Sequence, residues 1–187
     1  MRFLQLLDNK LTSFIFNLPH NPATDLFFLF FSFAGSFGLI WIGIFLYTFY
    51  KQVRENPAFA LPFLTTILIS SFLTNMILKP LFQRARPALA APASDILLFV
   101  NSLQQHPILR HFIGAYPQDF AFPSGHSTLA FAAVVVLARY EPRYTAIYYI
   151  VAGLIAFSRV YLGYHFVGDV LAGSLIGWVT GMLLMKL

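Results

Sequence analysis

Charge is scarce in this chain. Only 10% of its 187 residues are Asp, Glu, Lys or Arg, against about 25% in soluble domains. With 58% hydrophobic residues and 22 Phe, too few polar side chains remain to cover a water-soluble globule, and the composition is that of a membrane protein. Cysteine is absent, which excludes disulfides and thiolate metal sites and leaves redox chemistry silent about the compartment. A basic patch is missing too. The net charge is +5, but the cations are scattered among apolar segments, so nucleic acid is not the expected partner. Membrane topology and an anionic substrate account for them better. Neither an internal repeat nor a low-complexity tract is present, and residues 1–187 read as one domain.

What is there, first of all, is long apolar runs. A spanning helix needs about 20 mostly apolar residues, and five segments fit: 26–49, 59–78, about 124–139, about 144–162 and about 168–185. Pro62 is tolerated near the start of the second. The fold class expected is all-α, a multi-pass transmembrane helical bundle of about five spans. Residues 1–20 differ: Phe3, Leu4, Leu7, Leu11, Phe14, Ile15 and Leu18 recur at helical spacing between Gln5, Asp8, Asn9, Lys10 and Thr12. This predicts an amphipathic interfacial helix rather than a span. It lacks the apolar run and cleavage site of a signal peptide. The short loops "KQVRE" (51–55) and "RYEPR" (139–143) are expected to be cytoplasmic by the positive-inside rule. That places the long 79–123 loop region and the 158–169 stretch together on the extracytoplasmic face. Gly173, Gly177 and Gly181 make a small-residue stripe suited to close helix packing inside the bundle, with a dimer face as the alternative.

Three polar clusters interrupt the oil, and ionisable groups at a membrane boundary are functional candidates by default. In "KPLFQRARP" (79–87), Lys79 and Arg86 lie two helical turns apart; the bland reading is a snorkelling basic flank. In "FPSGHS" (122–127), Ser124 and Gly125 read as a turn opening a helix, whose free N–H groups and partial positive charge suit an anion. His126 falls in the first turn, and an ordinary N-cap beside an interfacial His is the alternative. In "SRVYLGYHFVGD" (158–169), His165 and Asp169 stand at i and i+4, with Arg159 nearby. A carboxylate on one imidazole nitrogen leaves the other free to act, and the Arg fork suits phosphate oxygens; a structural His–Asp cap is the alternative. Three cations, two His and a helix terminus on one face fit phosphoryl transfer, which is catalysed by positioning and electrostatics. An oriented neutral His is a competent nucleophile, and a second His can serve the leaving oxygen as acid and the water as base. The cations do a metal's work, so no cofactor or metal is expected.

Together the clusters resemble the signature of the type 2 phosphatidic acid phosphatase (PAP2) superfamily: Lys, six residues, Arg-Pro; Pro-Ser-Gly-His; Ser-Arg, three residues, Gly, one residue, His, three residues, Asp. Here these are Lys79 with Arg86-Pro87, Pro123-Ser124-Gly125-His126, and Ser158-Arg159 with Gly163, His165 and Asp169. The resemblance covers residues 60–185 and implies a metal-independent membrane phosphatase. By it, His165 is the nucleophile forming a phosphohistidine, Asp169 orients it, and His126 is the acid. Lys79, Arg86, Ser124, Gly125 and Arg159 bind the phosphate. Many membrane members have six spans, one more than counted here.

The substrate implied is a lipid phosphate or pyrophosphate among membrane lipids, at the extracytoplasmic face of the cell (inner) membrane: undecaprenyl pyrophosphate, phosphatidylglycerol phosphate, phosphatidate or lipid A phosphate. The 88–121 segment is expected to form an amphipathic rim admitting the lipid. Arg84, Arg110 and His111 are candidates for a second phosphate or sugar, or else ordinary interfacial residues. Vanadium haloperoxidases share the three motifs but are soluble. A zinc hydrolase built on His126, His165 and Asp169 lacks HExxH and would set zinc among cations. An anion or lipid-phosphate transporter would use the cradle without hydrolysis, but the internal symmetry common in transporters is missing.

Overall fold

The structure, a computed structural model, describes residues 2–35, 38–52, 59–87 and 119–186. Every regular element among them is helical. Helix α1 (Arg2–Phe16) is followed by α2 (Pro22–Gly35) and α3 (Leu39–Gln52). A long helix α4 (Ala60–Phe82) comes next, then α5 (Gly125–Tyr140), α6 (Thr145–Tyr161) and α7 (Val167–Leu184). Residues 88–118, most of the expected loop region and of its lipid-admitting rim, lie outside the described residues, as do Arg110 and His111.

Among the described residues three helices are long and apolar enough to cross a membrane: Ala60–Phe82, Pro142–Tyr161 and Val167–Leu184. The expected first span is not one straight helix. It divides into α2 and α3, bent by 61°, and counts as a fourth crossing if the pair is taken together. Gly38, beside the break, has φ 70°, a conformation that costs glycine nothing and other residues a Cβ clash. Helix α5 is apolar but has only 16 residues.

Pro80 sits inside α4, where its missing N–H and its ring conflict with the carbonyl one turn back. The helix answers by winding as a π-helix over Leu73–Leu78, which widens the hydrogen-bond ladder just ahead of the proline. It stops at Gln83, whose φ of 46° is left-handed.

Helices α5 and α7 pack most closely. Gly173, Gly177 and Gly181 are all buried in that seam. A methyl on Gly173 would meet the Ser124 carbonyl at 2.5 Å, and one on Gly177 would overlap the Thr128 carbonyl. The stripe therefore serves packing within the bundle. A core of Trp41, Phe59, Phe63, Val134, Leu137, Tyr148 and Ile155 fills the space between the helices. In lipid, van der Waals contact rather than water expulsion holds such a core together.

Lys51, at the end of α3, meets the turn after α5. Lys51 donates to Glu141 at 3.0 Å, and Arg143 pairs with the other oxygen of Glu141 at 3.1 Å. The end of α4, the start of α5, the end of α6 and the start of α7 carry the three polar clusters, gathered at one site.

Helix α1 turns its apolar residues Phe3, Leu4, Leu6, Leu7, Leu11 and Phe14 outward. Gln5, Asn9 and Lys10 are exposed as well, while Asp8, Thr12, Ile15 and Phe16 face the protein. The Thr12 hydroxyl accepts from the Val167 N–H at 3.0 Å, and the Asp8 carboxylate accepts from the Gly168 N–H at 2.8 Å. These are free N-terminal donors of α7, capped here by another helix. The corner after α1 is pinned to α6, where Tyr161 donates to Asp25 at 2.7 Å and His20 Nδ1 lies 2.7 Å from the same oxygen.

Candidate active site

Lys79, at the end of α4, is buried. Arg86 does not share a helical face with it, as a continuous helix would require. The left-handed turn at Gln83 sends residues 83–87 off the helix as an irregular segment, and that segment folds Arg86 back onto the site. The two cations converge on one carboxylate. Lys79 Nζ and Arg86 Nη2 bind the two oxygens of Asp119, the second at 2.6 Å, and Arg86 Nε donates to the Asp119 carbonyl at 2.9 Å. Half-burial pulls the Asp119 carboxyl upward, but the hydrogen bonds and charges of Lys79 and Arg86 outweigh it and hold the group below its ordinary range. Sequence reasoning missed Asp119. It stands outside the three motifs, and only the return of the loop brings it to the cations.

Ser124 caps α5. Its hydroxyl accepts from the Ser127 hydroxyl at 3.0 Å and, weakly, from the Ser127 N–H at 3.4 Å. Its own N–H donates to the Asp169 carbonyl at 3.0 Å, tying the start of α5 to the start of α7. Gly125 faces the cradle: a Cβ there would lie 4.0 Å from Lys79 Nζ and 3.4 Å from the Asn75 side-chain oxygen. His126 follows in the first turn, half-buried, within electrostatic reach of Arg159, His165, Lys79 and Arg86.

Arg159 is buried at the end of α6. One terminal nitrogen donates to the Ser32 hydroxyl of α2, the guanidinium lies 4.3 Å from the centre of the Tyr164 ring, and the buried Nε has no hydrogen-bond partner among the described residues. A buried donor left unmade costs about 1–3 kcal/mol, so this N–H is available to an anion.

His165 is not on a helix. It ends the loop before α7, one residue ahead of the N-cap Phe166. It meets Asp169 because that carboxylate folds back over the helix start, where Oδ2 accepts from the Phe166 N–H at 2.9 Å and lies 3.5 Å from His165 Nδ1. On the other side of the ring, Arg86 Nη1 lies 3.1 Å from Nε2 while also donating to the Tyr164 carbonyl at 2.7 Å. A guanidinium can only donate, so Nε2 presents its lone pair and Nδ1 carries the proton, towards Asp169. Burial, and then the charges of Arg159, Arg86 and Lys79, hold the His165 ring well below its ordinary range. It is therefore neutral at neutral pH.

Arg84, a candidate for a second phosphate or sugar or else an ordinary interfacial residue, is engaged within the protein. Its terminal nitrogens donate to Asp169 Oδ1 at 2.7 Å and Asp8 Oδ2 at 2.6 Å, and its guanidinium lies 4.0 Å from the centre of the Phe166 ring.

The chain matches the PAP2 superfamily over residues 59–187. The lipid A 4'-phosphatase of Bacteroides thetaiotaomicron is 29% identical over 98% of this chain and 77% of its own length. Among solved structures, LpxE of Aquifex aeolicus superposes with a TM-score of 0.72 at 28% identity, covering 97% of this chain and 96% of that one. The transmembrane PAP2-type phosphatidylglycerolphosphate phosphatase of Bacillus subtilis gives 0.68 at 25% identity, covering 100% and 86%. With a helical membrane fold, the three motifs gathered at one site and relatives of this kind along nearly its whole length, the chain belongs to the PAP2 superfamily and is a membrane phosphatase of that family.

Proposed function

We propose that this phosphatase removes phosphate from a lipid phosphate or pyrophosphate through a phosphohistidine on His165, at the extracytoplasmic face of the cell membrane. One observation carries the reading. An anion, the Asp119 carboxylate, already sits where Lys79 and Arg86 converge, and Arg86 also touches the lone-pair nitrogen of His165. A phosphoryl group exchanged for that carboxylate would meet the nucleophile directly.

The steps follow from the residues. Lys79, Arg86, the buried Arg159, the Ser124 hydroxyl and the Gly125 amide neutralise the phosphoryl oxygens, where charge stabilisation is worth most away from water. His165 Nε2 attacks phosphorus and the bond to the lipid oxygen breaks. His126, taking up a proton once the phosphate's negative oxygens offset the cations around it, donates the proton that the departing oxygen needs. Asp169 holds the Nδ1 proton and balances the positive charge on the phosphorylated ring. His126, now neutral, then takes a proton from water. The water oxygen bonds to phosphorus, the P–N bond breaks, and inorganic phosphate and free His165 are restored. Splitting the reaction in two is the ordinary gain of covalent catalysis. Arg84, Arg86, Arg159 and Lys79 surround the His–Asp pair, a setting that repels a divalent cation. The substrate candidates are lipid A phosphate and phosphatidylglycerol phosphate, the groups named for the relatives, together with phosphatidate and undecaprenyl pyrophosphate.

The test is phosphate release by purified protein from these four lipids in detergent with EDTA, with His165→Ala beside it. We expect release from at least one lipid, unaffected by EDTA and lost in the variant. Loss of activity in EDTA would indicate a metal hydrolase. Binding without release from any lipid would indicate a transporter.

A further inference from the structure

We infer that Arg84, held by Asp8 of α1, is a positioning residue for the His165–Asp169 pair, so that the interfacial helix is part of the catalytic apparatus. This rests on the phosphohistidine reading above and adds residues outside the three motifs.

Asp169 is fully buried. A buried carboxylate without a counter-charge is costly and takes up a proton. The groups facing it are His165, Arg84 and Arg86, with Asp8 behind Arg84. Arg84 alone among these donates directly to Oδ1, at 2.7 Å. With Oδ1 committed, Oδ2 is left for the Phe166 N–H and His165 Nδ1. Arg84 thereby favours the ionised carboxylate against the burial that opposes it, and sets which oxygen faces the imidazole.

Arg84 is in turn fixed at its other nitrogen by Asp8, whose second oxygen takes the Gly168 N–H. Asp8 has thus one oxygen on the arginine and one on the helix that bears Asp169. Gly168 makes the approach possible, since a Cβ there would come within 2.9 Å of the Asp8 carboxylate. Four groups from α1, the segment after α4, the loop before α7 and α7 itself form a single relay: Asp8, Arg84, Asp169, His165. The exposed residues of α1 include Phe3, Leu4, Leu7, Leu11 and Phe14 beside Gln5, Asn9 and Lys10, so the relay is anchored in a helix suited to the membrane–water boundary.

The experiment compares Arg84→Met, Arg84→Lys, Asp8→Asn and Gly168→Ala in the full chain, on whichever lipid phosphate the panel identifies, with thermal unfolding in the same detergent. Arg84→Met should lower kcat about 10- to 100-fold and leave KM within about threefold, because the phosphate cradle is untouched. Its kcat should recover as pH rises, because an uncompensated Asp169 ionises only at higher pH; a variant that merely loosens the fold would lose activity at every pH alike. Arg84→Lys should restore part of the loss. Gly168→Ala, which displaces Asp8 without altering any charge, and Asp8→Asn should each lower kcat, and neither should add its full effect on top of Arg84→Met. If Arg84→Met does not fold, Gly168→Ala and Asp8→Asn carry the same comparison. Wild-type kcat and pH profile in folded Arg84 or Gly168 variants, alongside an inactive His165→Ala, would overturn this inference and leave the phosphohistidine reading standing. An active His165→Ala would overturn both.

Discussion

Replacing Asp169 by Asn tests the site at its most constrained atom pair. Two donors bind the carboxylate, Arg84 on Oδ1 at 2.7 Å and the Phe166 N–H on Oδ2 at 2.9 Å, and His165 Nδ1 faces Oδ2 at 3.5 Å, beyond a good hydrogen bond. Asn supplies one acceptor oxygen and one amide that donates, so one side must fail. If the oxygen stays towards Phe166 and His165, the amide confronts the Arg84 guanidinium. If it turns to Arg84, the imidazole faces a donor and favours the wrong tautomer. A lost hydrogen bond to a charged group is worth about 1.5–3 kcal/mol, or roughly 10- to 100-fold at about 1.4 kcal/mol per decade. Loss of the negative charge that balances a phosphorylated imidazole adds to this. The same exchange in a serine-protease triad costs about 10⁴ in turnover, which sets the upper end. We expect kcat to fall about 10³- to 10⁴-fold while KM changes little, since none of the cradle cations depends on Asp169 for its position. The assay is initial phosphate release against lipid concentration in detergent, with thermal unfolding as the control for folding. A folded Asp169→Asn protein with kcat within tenfold of wild type would refute the reasoning, as would a loss confined to KM.

Three further outcomes follow from the geometry. His165 is held neutral well below its ordinary range, chiefly by burial, so the acidic fall in kcat/KM assigned to this ring should lie well below pH 6.5; a limb for it at or above 6.5 would contradict the buried, cation-ringed setting. By linkage the same depressed value contributes stability that is present above the unfolded value of about 6.5 and is lost as pH falls through the folded one, which thermal unfolding across that window would register. Asp119→Asn removes the anion that competes for Lys79 and Arg86. Because that carboxylate is half-exposed, and such a pair is worth up to about 1 kcal/mol, inorganic phosphate should inhibit up to about fivefold more tightly; an unchanged inhibition constant would show that the carboxylate does not compete. Gly177→Ala pushes a methyl into the Thr128 carbonyl. It should separate α5 from α7 at a cost of about 1–3 kcal/mol, read as a lower Tm in detergent, and a wild-type Tm would place that seam elsewhere.

The sequence alone was enough for the membrane character and the helical class, and it singled out eight candidate residues that the structure brings near one another. These are recorded locally. Apolar runs reflect partition into lipid, and a Ser-Gly-His opening a helix or a His four residues before an Asp are short-range patterns. Even so, two local readings needed correction. Lys79 and Arg86 meet through a left-handed turn at Gln83 rather than along a helix face, and His165 meets Asp169 because the carboxylate folds back over the helix start. The partners of Arg84, Asp119 and Ser32 were beyond reach, since they join residues 85 and 76, 40 and 33, and 127 positions apart. So was the inward turn of Asp8 and Thr12 on α1. A hydrophobicity pattern says which face of a helix avoids water. It does not say which distant helix end, with its unpaired N–H groups, will take the polar face, and that choice is made only when the helices pack and every buried donor must find an acceptor.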